Sequence, residues 1–299
     1  MYAILGASGH TGHIVAKTLL AGGKKVRVVG RNPEHLQKLT AHGAEAVAAD
    51  GSDASALTKA FQDADSAYVL LPPDIGNKDF RGYQDRVTDA IIAAIKNAVV
   101  KNVVVLSSIG ADKPSGTGPV VGLYNLEQKL NQIDGLNALY LRAGYFMENT
   151  LPQAGAIRHT GSVIGPLRRD LKLPMIATVD IGQAAADALL RLDFHSKQTR
   201  ELQGHRDLDY TEATSIIGKA IGQPSLGYVH APNEQLRPAL TQMGMSENFA
   251  DLLLEMAGAL NSGYMKAQEP RSPANSTPTS FEAFVNEQFV PAYQQQTAA

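Results

Sequence analysis

Cysteine and tryptophan are both absent from this 299-residue chain, and aromatic residues make up only 6% of it. Without cysteine there is no disulfide, no thiolate metal site and no cysteine nucleophile. The same absence fits a reducing compartment, and the cytoplasm is the expected location. Neither sign of charge dominates: 27 Lys and Arg face 29 Asp and Glu, for a formal net charge of −2. No run of like charges stands out, so no footprint for direct nucleic-acid contact is present. The longest apolar stretches, such as NAVVKNVVVL, fall short of the roughly 18 residues a membrane helix needs, and no membrane association is expected. The apolar run before Gly6 is too short for a secretory signal and reads as a strand. What remains is ordinary globular composition, 44% apolar and 19% charged.

Within that composition, strand and helix signals alternate. YAIL ends at a glycine-rich turn, and a helix follows with Ile14, Val15, Leu19 and Leu20 on one face. KVRVVG is a second strand, and Asn32-Pro33 opens the next helix. EAVAAD, SAYVLLPP, NVVVLSS and NALYLR continue the series, with Asp53 placed to cap the helix SALTKAF. A long helix carries Val87, Ile91, Ile95 and Ala98 at three- and four-residue steps. Six strands alternating with helices predict an α/β fold, a doubly wound parallel Rossmann sheet. After Arg142 shorter strands (SVIG, LKLPMIA, TRELQG, LGYVHA) mix with helices near Asp180, Thr211, Asn233, Ser246 and Ser280. Residues 1–145 are therefore expected to form the nucleotide-binding core. Residues 146–299 would form a smaller C-terminal α/β lobe for substrate or partner, with strands able to return to the core. Asp180 is a candidate N-cap, and EPRSPANSTPTS reads as a loop or lid.

The opening GASGHTG gives the sheet a use. Gly6 permits a sharp turn out of the first strand, Gly9 allows a phosphate to approach the backbone, and Gly12 lets the helix pack closely. Amides freed at the helix N-terminus, in the segment holding His10, then suit a pyrophosphate, with hydroxyls from Ser8 and Thr11 as further donors. An NAD site usually places a carboxylate at the end of the second strand. VVGRNPEH has Arg31 there instead, a planar fork suited to a 2′-phosphate. NADP(H) is thus favoured over NAD(H). Asp50, ending the third strand, either accepts from the adenine amino group or caps the next turn. Leu70 and Leu71, running to Pro73, flank the adenosine side, and Ser107 and Ser108 end the fifth strand at the ligand edge. His10 and His13 lack a carboxylate to complete a metal set, so no metal is expected.

With GASGHTG, VVGRNPE, LSSIGADKPSGTGPVVGL, LRAGYFMEN and LPMIATVDIGQAAADALL assembled, the sequence resembles the NmrA-like family of atypical short-chain dehydrogenase/reductase proteins. The resemblance implies a Rossmann core, a smaller C-terminal lobe and a ligand cleft between them. It also implies that LRAGYFMEN lies against the nicotinamide, which nominates Tyr145, Phe146 and Asn149; packing between the lobes is the other role open to Phe146. The family includes NADPH-dependent quinone reductases and NADP-binding redox sensors. This chain carries His35 where relatives often have lysine after the strand-two arginine, and Leu123 or Tyr124 where many have histidine or lysine.

Ordinary short-chain dehydrogenases pair a catalytic Tyr with a Lys one helical turn later. None of the ten tyrosines here has Lys at the fourth following position. Tyr124 comes nearest, but its fourth neighbour is Gln128, and Lys129 falls about 100° further round the helix. Tyr124 is the candidate proton donor, with ribose contact and packing as its alternatives. Hydride transfer to an electron-poor acceptor can proceed with solvent protons. The sequence therefore predicts an NADP(H)-binding oxidoreductase acting on a small apolar carbonyl, quinone or enone. The alternative is a non-catalytic sensor of the NADP(H)/NADP+ ratio acting through a protein partner. The Met-rich QMGMSENFADLLLEM reads as helix core that can also line an acceptor pocket.

Overall fold

Short apolar runs ending at glycine, proline or serine become the strands of a central sheet. In the computed structural model, which describes residues 1–295, these are β1 (Tyr2–Leu5), β2 (Val26–Gly30), β3 (Glu45–Ala48), β4 (Ser66–Val69), β5 (Asn102–Ser108) and β6 (Asn137–Ala143). Beyond them lie β7 (Tyr145–Phe146), β8 (Ser162–Gly165), β9 (Leu173–Ile176), β10 (Lys197–Leu202), β11 (Asp207–Leu208) and β12 (Gly227–His230). The central sheet has seven strands in the order β10-β6-β5-β4-β1-β2-β3, every pairing parallel. This is the doubly wound α/β fold the alternation predicts. The seventh strand, β10, returns from well past β6 and pairs with it from Lys197↔Ala138 to Leu202↔Ala143. Two small sheets, β11-β9-β7 and β12-β8, lie outside the central one.

Helices cover both faces. On one side α1 (His10–Ala21) packs its Val15 and Leu19 under Ile4 and Val28. A short 3₁₀ turn, Pro33–Leu36, with Asn32 accepting from the Glu34 amide at 2.9 Å, leads into α2 (Gln37–Thr40). On the other side lie α3 (Ala54–Phe61), α4 (Phe80–Asn97) and α5 (Val120–Asn131). Val87, Ile91 and Ile95 of α4 bury against Val103 and Val105 of β5, whose Val104 faces the opposite layer. That alternation is the two-residue period of a strand buried on both faces. Asp53 caps α3 as expected, its Oδ1 accepting from the Ser55 and Ala56 amides.

Past the sheet come α6 (Gln153–Thr160), α7 (Thr178–Arg191), α8 (Tyr210–Ala220), α9 (Asn233–Gln242) and α10 (Glu247–Asn261). Although α7 follows β7, it lies against α1 in the core: a Cβ at Gly182 would stand 2.6 Å from Ile14 Cβ and 2.9 Å from the Thr11 carbonyl. Asp180 does not cap α7. It sits in the first turn and anchors distant chain, accepting from the Thr279 amide (3.0 Å) and hydroxyl (2.7 Å). The proline-rich segment is a loop fastened at several points. Asn275 O accepts from the Gln203 amide, the Thr277 amide reaches Gly204 O, and Arg271 donates to the carbonyls of Gln203 and Gly204. Buried Glu201 receives the Gln268 and Glu269 amides on its two oxygens.

A buried ion pair ties α5 to the sheet. Glu127, 2% exposed, accepts from Arg142 Nε at 3.1 Å and Nη2 at 2.6 Å, and from Ser107 Oγ at 2.6 Å. Removing one partner leaves the other charge buried and uncompensated. Arg142→Met is expected to lose about 3–5 kcal/mol of stability, and Glu127→Leu/Arg142→Met to recover much of it. Urea denaturation midpoints of the single and double variants check this. Gly182→Val is expected to cost about 1–3 kcal/mol by forcing α7 off α1, read as a fall in thermal midpoint.

Candidate active site

A cavity of about 930 Å³ opens at the carboxyl ends of the sheet strands. Gly6, with φ +71°, turns the chain out of β1, and the Gly9 amide donates back to Gly6 O at 2.9 Å. A Cβ at Gly12 would overlap that same carbonyl, so only glycine lets α1 start so close to β1. No side chain caps α1 and its first turn holds no acid. Its leading amides therefore lack intrahelical partners and present the positive end of the helix dipole. Gly6, Ser8, Gly9, His10 and Thr11 all line the cavity, whereas Gly12 stands behind them as packing. Thr11 Oγ1 accepts from Tyr68 Oη at 2.9 Å; burial pushes the Tyr68 phenol up, so it stays a donor. The Thr11 proton is left to donate outward.

Arg31, at the end of β2, lines the same cavity and is exposed, with no hydrogen-bonded or ion-paired partner among the described residues. Asp50 does not line it; Ala49 and Gly51 do. The Asp50 carboxylate instead caps its own turn, Oδ1 accepting from Ser52 N (2.9 Å) and Oγ (2.6 Å). These bonds, with Arg31 nearby, hold it below the usual carboxylate range. The cap, one of the two roles open to Asp50 in the sequence, is thus made through Oδ1. Leu70 and Leu71 line the cavity beside Pro72 and Pro73, and so does Ser107, whose hydroxyl is spent on Glu127.

Tyr145, Phe146 and Asn149 also lie on the wall. Tyr145 Oη is 3.0 Å from Tyr210 Oη, their rings edge to face at 80°, and Tyr210 stacks on Tyr228 at 4.8 Å. Burial raises the Tyr145 phenol, and hydrogen bonds with Tyr210 and Asn149 offset this in part. It is protonated at neutral pH. Tyr124 is half-buried on α5 and is not on the wall; its neighbour Leu123 is. One residue along a helix turns the side chain by about 100°, enough to change the surface it serves.

Two further wall residues are not singled out by the sequence. Glu148 Oε1 accepts from the Thr178 amide (2.9 Å) and hydroxyl (2.6 Å), supplying the cap α7 otherwise lacks, while Oε2 is buried without a partner. Gln84 likewise has a buried Oε1 with no partner. Its signal lies in α4, where the apolar stripe Phe80, Tyr83, Val87 and Ile91 includes glutamine at a core position. Phe249, Leu253 and Met256 of α10, part of the Met-rich segment, complete the apolar side, with Met265 to Ala267 beside them. Among the described residues no cluster of three or more His, Asp or Glu is placed to hold a metal, and no helix is long and apolar enough to cross a membrane.

Comparison with known proteins agrees with this architecture. NAD(P)H azoreductase of Xenophilus azovorans is 30% identical over 260 residues, 86% of each chain. Quinone oxidoreductase 2 of Escherichia coli is 28% identical over 286 residues, 94% of this chain and 95% of that one. A crystal structure of an NADPH-dependent quinone oxidoreductase from Escherichia coli superposes with a TM-score of 0.79 at 27% identity, covering 97% of this chain and all 100% of that one. Triphenylmethane reductase of a Citrobacter species, complexed with NADP(H), shares the fold at a TM-score of 0.77 and 17% identity, over 96% of this chain and 99% of that one. Residues 2–285 match the NmrA-like family, and with the glycine cradle, the seven-stranded sheet and the LRAGYFMEN wall in place, the chain belongs to that family.

Proposed function

We propose that the protein is an NADPH-dependent reductase of small, apolar, electron-poor acceptors of the quinone class. The observation that carries this reading is one continuous cavity with two unlike ends. At one end stand the uncapped α1 and the unpartnered Arg31; at the other, side chains of α4, α5 and α10 form an apolar wall. The volume sits near the top of the roughly 300–1,000 Å³ range of small-molecule sites, room for an extended dinucleotide and a compact acceptor. Azo compounds and quinones, the substrates in the names of the two curated relatives, share that electron-poor character.

The residues present fit NADP(H). The α1 amides and the hydroxyls of Ser8 and Thr11 would hold the diphosphate. Arg31 would take the 2′-phosphate, and Leu70 to Pro73 would flank the adenosine. Tyr145, Phe146 and Asn149 would wall the nicotinamide end, where Glu148 Oε2 has no partner of its own. The bound coenzyme supplies a hydride. The chain's part is to orient it, exclude water with the apolar wall and keep a proton at hand. Tyr145 lines the cavity, and its phenol, protonated and hydrogen-bonded to Tyr210, would be the group to protonate a reduced oxygen. Tyr124 is assigned no step.

Leu123 on the wall, with no Tyr–Lys pair, keeps the second reading open, a redox sensor that binds the coenzyme and signals to a protein partner. Steady-state NADPH oxidation against a panel of quinones separates the two: turnover supports the reductase, and tight coenzyme binding without turnover on any acceptor supports the sensor. Arg31→Ala is expected to weaken NADPH binding by about 10- to 100-fold, the worth of a charge-assisted hydrogen bond, and to leave NADH affinity unchanged. Calorimetric titration with both coenzymes checks this; an equal loss for both removes the assignment of Arg31 to the 2′-phosphate.

A further inference from the structure

Tyr83 stands in the first turn of α4, is 7% exposed and lines the cavity. Its ring belongs to the buried cluster that holds Ala49, Val69 and Val87, and lies 6.3 Å from the Phe80 ring at 49°. The hydroxyl is placed differently. Among the described residues Oη has no hydrogen-bond partner, and it is not one of the atoms sealed away without one, so it keeps accessible surface. Other hydroxyls of the same wall are spent: Ser107 on Glu127, Ser108 on the Ile109 carbonyl and Thr178 on Glu148. Burial, the largest effect, pushes the Tyr83 phenol up, and it is protonated at neutral pH. Arg31 after β2, Asp50 after β3, Asp74 after β4 and Arg86 of α4 also act on it electrostatically. A Cβ at Gly51 would stand 3.5 Å from Pro72 Cγ and 3.6 Å from Val87 Cγ1, so the turn after β3 packs on the same face of α4 one turn further along. Tyr83 therefore stands at the corner where Arg31, Gly51, Leu71 and Pro72 line the cavity.

We propose that this corner reads the base of the coenzyme, and that Tyr83 Oη hydrogen-bonds the amino edge of adenine. The inference rests on the coenzyme-binding part of the proposed function and holds for reductase and sensor alike. The amino edge of adenine sets a donor, the exocyclic amine, beside an acceptor, the adjacent ring nitrogen. A phenol both accepts and donates, and fits that edge. Arg31 only donates, so it suits a phosphate and cannot accept from an amine. Asp50 has Oδ1 spent on Ser52 and does not line the cavity. Of these three groups the phenol is the one that is on the wall and can accept. A base seated over Oη shuts it off from water, and a hydrogen bond offsets that loss; a base blocked at its amino edge leaves the hydroxyl unsatisfied. With its ring held by the core, the hydroxyl is oriented before the ligand arrives. Tyr83 is therefore a specificity residue.

The test titrates NADP+, NAD+ and the ethenoadenine analogue of NADP+ calorimetrically into the full-length wild type and Tyr83→Phe. The etheno bridge blocks the amino edge and leaves ribose and phosphates intact. Tyr83→Phe keeps the ring in the core and removes a hydroxyl with no protein partner, so the thermal midpoint is expected to stay unchanged. NADP+ and NAD+ are each expected to weaken by about 3- to 10-fold, the worth of one hydrogen bond, because both carry the base. The analogue is expected to bind the wild type more weakly than NADP+ and to be indifferent to the substitution, so the preference for NADP+ over it shrinks by the same factor. A loss confined to NADP+ would move the hydroxyl to the 2′-phosphate beside Arg31 and overturn the inference. Equal wild-type affinities for NADP+ and the analogue, or a preference that survives in Tyr83→Phe, would overturn it as well. Failure of both natural coenzymes to bind would remove it together with the proposed function, whereas binding with an unchanged preference removes the role of Tyr83 alone.

Discussion

The start of α1 rests on the carbonyl of Gly6 with no space for a side chain at Gly12. This close approach aims the helix, and the aim governs the layout of the whole site. It holds the first-turn amides at the floor of the cavity, and the lack of a side-chain cap leaves them for a ligand. It also brings the far flank of α1 within reach of α7, where a second glycine, Gly182, removes the next obstacle. The α7 N-terminus is capped in turn by Glu148, which belongs to the cavity wall. Two positions without a Cβ and one borrowed cap thus link the glycine turn to the opposite end of the cavity through two packed helices. The segment after β6 is consequently part of the cavity's foundation, even though its strands and helices are distant in sequence.

The features legible in the sequence are those whose meaning is local. A glycine triplet between a strand and a helix implies a tight turn by steric exclusion alone, and it and Arg31 after β2 stand on one cavity as their places at strand ends imply. The features that stay hidden need contacts over long separations. TRELQG is legible as a strand that can return to the core, but its partner is not: edge strand β10 lacks an apolar run, so nothing in KQTREL names β6. The proline-rich loop reads as a lid by composition, and its fastening to Gln203, Gly204 and Asp180 lies in partners some seventy to a hundred residues away. The Asp50 cap stays hidden because it depends on the rotamer that sets Oδ1 beside Ser52. Tyr124 is a matter of helix phase: the strand and helix stand where the pattern puts them, and the wall residue is its neighbour.

Three buried carboxylates in this protein are satisfied on both sides by long-range partners. Glu127 has Ser107 and Arg142 on its carboxylate, Asp180 has Thr279 on both oxygens, and Glu201 has a backbone amide on each. These join elements to one another, and none of the three lines the cavity. Glu148 and Gln84 each have one atom committed to the scaffold and one left over, and both line it. Thr88, Thr117, Thr214 and Asp112 also keep a buried atom without a hydrogen-bond partner, away from the cavity.

The same logic bears on the missing Tyr–Lys pair. A lysine beside a tyrosine serves reactions in which the proton must move as an unactivated carbonyl accepts hydride. Here the tyrosine on the wall is backed by a second tyrosine, and burial moves both phenols away from ionisation. Such a pair stays protonated at neutral pH, and a proposed acceptor whose reduced oxygen is stabilised by its own conjugation, as in a quinone, would not need the more acidic tyrosine of a Tyr–Lys pair. The apolar wall works in the same direction, because desolvation strengthens the interactions that orient two flat rings while leaving little water to compete for the hydride. The firmly protonated phenols and the apolar wall are thus the two features on which the proposed reductase reading depends.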